Sequence, residues 1–61
     1  MRARDALEEV GGPAAFFTYA EECRPELHEE LIGAMFLPEP ESESWLLEVV
    51  REINHWKRSH A

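Results

Sequence analysis

At 61 residues, with 13 acidic side chains against 6 basic ones and a formal net charge of −7, the chain has room for one domain (1–61) and lacks the clustered Lys and Arg that grip a phosphate backbone. Its single cysteine excludes an internal disulfide, and no apolar run approaches the roughly 20 residues that span a bilayer. So short a chain buries only about 60% of its unfolded surface, and ordering costs roughly 1.5 kcal/mol per residue, so a metal or a partner subunit is the expected reinforcement of its core.

Glycine and proline cut the chain into four segments. The first predicts a short helix over about 3–10, with Ala3, Ala6, Leu7 and Val10 at helical spacing, ended by Gly11 and Gly12. Pro13 suits the first turn of a second helix, over about 13–23, where its missing N–H costs nothing. Pro25 interrupts it. The series Phe16, Ala20, Cys23, Leu27, Leu31, Ala34 keeps helical spacing across that proline, so a clean break and one long kinked helix both stay open, and the break is preferred. The series also marks Cys23 as a small core residue.

The third segment predicts a helix over about 26–36, with Leu27, Leu31, Ile32, Met35 and Phe36 on one broad face and Gly33 as a weak point. Leu37-Pro38-Glu39-Pro40 reads as a linker. A fourth helix, over about 41–58, shows the clearest periodicity. Trp45, Trp56, Val49, Ile53, Leu46 and Val50 fall within about 140° of arc, and Arg51, His55, Glu48 and Glu52 fill the other side. Glu39, Glu41 and Glu43 stand near its positive end, and Lys57, Arg58 and His60 near its negative end. No alternation of period two appears, so strands are not expected. The fold expected is an all-α small bundle of three main helices plus a short N-terminal one, completed by self-association.

The second segment carries the anomaly that bears on function. Phe17 points about 100° away from Phe16 and about 160° away from Tyr19, so bulky rings stand on two sides of one helix. Either this helix is wrapped by its neighbours or one ring-bearing side meets another chain, and the absence of any staple favours the second reading. The contact residues expected are Phe16, Phe17, Tyr19 and Trp56 as apolar anchors, with Glu22, Glu29 and Glu30 steering a basic partner. That partner is a second copy of the chain or a different protein.

Catalytic and metal motifs are absent or incomplete, so no catalytic residue, metal or cofactor is expected. Zinc would have to use Cys23, His28, His55 and His60, one cysteine short of the usual finger, and His55 and His60 diverge by about 140° on a regular helix. His28-Glu29-Glu30-Leu31 lacks a second histidine at Ile32. Glu39, Glu41 and Glu43 lack the central glycine of a calcium loop. A helix-turn-helix would present Glu26, Glu29 and Glu30 to phosphates.

The function expected is therefore a non-enzymatic protein–protein interaction module: an adaptor, regulator or assembly subunit. An acidic inhibitor that mimics DNA charge is the first alternative, and a small subunit of an enzyme complex using His28 or Cys23 the second. Neither direct nucleic-acid binding nor membrane insertion is expected. The lone thiol and the lack of a signal peptide suit a cytoplasmic protein, and richness in Arg, Ala and Glu with one lysine is associated with bacterial and phage genomes.

Overall fold

Apolar residues recur at three- and four-residue intervals in each segment, and each segment folds as a helix. A computed structural model describes residues 2–59, which form α1 (Ala3–Glu9), α2 (Gly12–Cys23), α3 (Leu27–Ala34) and α4 (Glu39–Ser59), with no strand among the described residues. The all-α class expected from the spacing is the one observed. His60, expected near the basic end of the last helix, lies outside the described residues.

Small side chains let α1 lie close on α4, the most extensive helix pairing of the fold, and Ala3 and Ala6 are buried there. The Ala3 N–H donates to Glu43 Oε2 at 3.1 Å, and Lys57 Nζ donates to the Val10 carbonyl at 2.8 Å. Backbone groups without partners at the two ends of a short helix are thus satisfied by α4. Gly11 and Gly12 then turn the chain with φ of 121° and 70°, values that side-chain-bearing residues rarely adopt. Pro13 occupies the first turn of α2, as expected.

Pro25 breaks the chain. Arg24 leaves helical geometry at φ −142° and ψ 75°, and a tight turn closed by Leu27 N–H on the Arg24 carbonyl, 3.0 Å, leads into α3. Cys23 is exposed, which corrects its expected place in the core: it sits in the last turn of α2, beyond the point where neighbouring helices cover that face. The third helix is also shorter than the expected 26–36. After Ala34 the chain tightens, with Phe36 N–H bonding the Gly33 carbonyl and Leu37 N–H the Ala34 carbonyl, and Pro38 forbids further winding.

The fourth helix begins at Glu39, with Pro40 in its first turn, a little earlier than the acids alone suggest. Its inner face buries Val49, Val50 and Ile53. Phe16, Tyr19, Ala20, Leu27, Val49 and Ile53 make one core, flanked by Leu7, Val10, Ala15, Leu31, Trp45 and Trp56. The long helix is the floor on which the other three lie, and α3 makes the slightest contact with it.

Candidate functional site

The rings on opposing sides of α2 have different fates. Phe16 is buried, with its ring edge-on to Trp45 (centroids 6.3 Å apart) and to Phe17 (5.5 Å). Tyr19 is buried beside Trp56 at 5.4 Å, and its hydroxyl donates to Glu52 Oε1 at 3.0 Å. Both were expected among the partner contacts. Both are instead interior, because α4 covers that side of α2. Phe17 lies outside, 44% exposed, with its ring stacked on His28 at 5.6 Å and 22°. Trp56 is half-buried against the core.

The acids divide similarly. Glu22 and Glu29 are exposed. Glu30 is half-buried and held from within: it accepts from Arg24 Nη2 at 2.8 Å and from Trp45 Nε1 at 3.4 Å. These bonds tie α3 to the end of α2 and to α4. Arg24 also donates to Glu26 (3.0 Å) and Glu52 (2.6 Å), so one guanidinium gathers a carboxylate from the turn, one from α3 and one from α4. Its pKa is raised further above the arginine range, first by the hydrogen bond to Glu52 and then by that to Glu26. The Glu26 carboxyl is held below its ordinary value by its own backbone N–H and by Arg24. Burial, then the Glu52 carboxylate, pushes the Tyr19 phenol above its ordinary value.

The surface that sequence reasoning missed lies on α3 and the turn after it. Ile32 is 60% exposed, Met35 74% and Phe36 85%. In helical register Leu27, Leu31, His28 and Ile32 sweep across about 140° of arc, and Met35 and Phe36 follow in the turn after Ala34. Contact with α4 covers only the first part of that arc, so the rest faces outward. The signal was present in the sequence: an apolar arc so wide exceeds what one neighbouring helix can cover.

Beside this strip the bundle is open. Leu7, Pro13, Phe16 and Phe17 border a hollow of about 160 Å³ floored by Leu31 and Leu46. The same two leucines line a second hollow of about 330 Å³, bounded by Arg4, Ala34, Met35, Glu43 and Trp45. Together they form a groove along α4, with α3 as one wall and α1 and α2 as the other. Apolar anchors can enter such a groove. His28 and Cys23 are exposed, and no group of three His, Cys, Asp or Glu side chains among the described residues is placed to hold a metal ion. No helix among the described residues is long and apolar enough to cross a membrane. In comparisons with known protein families, characterised proteins and solved structures, the chain matches none.

Proposed function

We propose that the chain is a non-enzymatic protein–protein interaction module whose contact surface is the outer strip of α3 together with the groove beside it. One observation carries the reading. Ile32 stands exposed on α3 and Met35 and Phe36 in the turn that follows it, with exposed Phe17 stacked on His28 at the head of the helix. Single exposed apolar residues are ordinary, whereas a continuous set of large ones marks an interaction surface. Of the two ring-bearing sides of α2, the burial of Phe16 and Tyr19 favours the Phe17 side. The exposed thiol of Cys23 suits a reducing compartment such as the cytoplasm.

A photoreactive phenylalanine analogue placed at Ile32 or Phe36, in cells that make the protein, tests the reading. The expected result is a discrete adduct, with another protein or with a second copy, that is absent when the analogue replaces Asn54 on the exposed side of α4. Equal labelling from all three positions, or none, would overturn it.

A further inference from the structure

We infer that the occupant of the exposed strip is a second copy of this chain, packed about a two-fold axis with Ile32, Met35 and Phe36 at its centre, an inference that rests on the interaction reading above and adds the partner.

Area supports this occupant. The exposed fractions of Phe17, Ile32, Met35, Phe36 and Leu37 amount to about three whole large side chains, roughly 600 Å² at about 200 Å² each. That stands at the top of the roughly 300–600 Å² that a monomer ordinarily leaves bare in one patch. The same strip on two copies brings together about 1,200 Å², where the range of specific, stable interfaces begins. Exposed His28, Gly33 and Pro38 border the strip and add to it. A chain of 61 residues also lacks the core that would make such a contact superfluous.

Charge points the same way. From Leu31 to Pro38 no side chain is charged, in a chain where 31% of residues are. Near a two-fold axis each side chain meets its own copy, so a charge there would meet its like. An uncharged strip meets itself without that repulsion. Contacts with a different, exchanging partner carry charged and polar groups that steer and register the encounter, whereas homodimer interfaces are the more apolar class. The net charge of −7 is carried outside this strip. Exposed Glu29 stands at its edge, about 60° around α3 from Ile32. Two copies therefore repel at a distance and adhere on contact, so added salt should strengthen their association.

The test is the mass of the full chain in solution, by sedimentation equilibrium, from about 1 µM to about 1 mM. The expected mass rises from that of one chain to that of two and stops there. Ile32→Glu should weaken the pair roughly a hundredfold and Phe36→Ala roughly tenfold or more, since a two-fold contact carries each substitution twice. Both positions are exposed, so helical circular dichroism should be kept. Asn54→Glu adds the same charge on the far side of α4 and should leave the pair unchanged. Glu29→Gln should tighten it roughly twofold or more, as should salt. In a mixture of isotope-labelled and unlabelled chains, magnetisation should pass between copies at Ile32, Met35 and Phe36.

A pair unaffected by Ile32→Glu and Phe36→Ala would place self-association on another face and overturn the inference. Weakening by salt or by Glu29→Gln would mean that ion pairs hold the contact, and would also overturn it. Mass that grows without limit would overturn the closed two-fold pair. A chain that stays monomeric to about 1 mM overturns the second copy. Photo-crosslinking then separates the two readings: an adduct with another protein at Ile32 or Phe36 leaves the interaction reading standing, and no adduct removes both.

Discussion

Arg24 Nη1 lies 2.6 Å from Glu52 Oε1, and this contact fastens the C-terminal end of α2 to the middle of α4. Glu52 Oε1 also accepts the Tyr19 hydroxyl, so one oxygen serves a charged and a neutral donor. Both ionic side chains keep about a third of their surface in water, which screens the pair. Glu52→Gln should cost about 1 kcal/mol, a drop of roughly 4–8 °C in a domain of this size. Thermal unfolding followed by circular dichroism reads it directly. An unchanged midpoint at low salt would mean that the contact carries no weight.

The phenol of Tyr19 ties stability to alkaline pH. Its pKa is raised above 10.0 in the folded chain, by burial first and by Glu52 second. The folded state therefore holds this proton more tightly than the unfolded state. The contribution is complete below about pH 10 and is lost as pH rises through the folded value. Tyr19 is the only tyrosine, so phenolate absorbance reports on it alone. The expected titration midpoint lies above 10, and unfolding by denaturant removes the displacement. A midpoint at the ordinary value would contradict the hydrogen bond to Glu52.

Two glycines should respond oppositely to alanine. At Gly11 the backbone has φ 121°, and an added Cβ would stand 2.8 Å from the Ala15 Cβ. Gly11→Ala is expected to destabilise by more than about 1 kcal/mol. Gly33 lies exposed within α3, with nothing within 4 Å of an added Cβ, so Gly33→Ala should stabilise by about 0.5–1 kcal/mol. Chemical denaturation of the two variants beside the parent checks both signs.

Much of this was legible in the residues. Helical spacing located four helices because each carries its own apolar stripe, and the inner face of α4 was correctly read from Val49, Val50 and Ile53. Periodicity reports local facing, however, and says nothing of which neighbour covers a face. Phe16 and Phe17 are both large and apolar, and the position of α4 alone decides that one is buried and the other exposed. Cys23 kept the core spacing yet ran past the end of the core. Arg24 is the one Lys or Arg between residues 11 and 40, and its carboxylate partners, two, six and 28 residues away, are brought together by the fold, which no local spacing reports.

The core has little to spare. Ile53 is fully buried where α2 and α4 meet the rest of the core. Ile53→Ala should cost about 2–5 kcal/mol. That is most of the roughly 3–9 kcal/mol that 61 residues hold at typical stability per residue. A broad, non-cooperative thermal transition is expected, whereas Ile53→Val should stay cooperative at a cost of about 0.5–1.5 kcal/mol. A sharp transition in Ile53→Ala would show that contacts outside this core dominate.

Because α4 follows the other three helices in the chain and serves as their bed, those three cannot complete their packing before it is made. A nascent chain that has emerged only as far as Met35 carries short segments with nothing to lie against, each too brief to hold its helix alone. The clasps at the two ends of α1 wait on Glu43 and Lys57. Native structure thus waits until α4 has emerged. Until then the apolar sides of the first three segments stay open to chaperones and proteases.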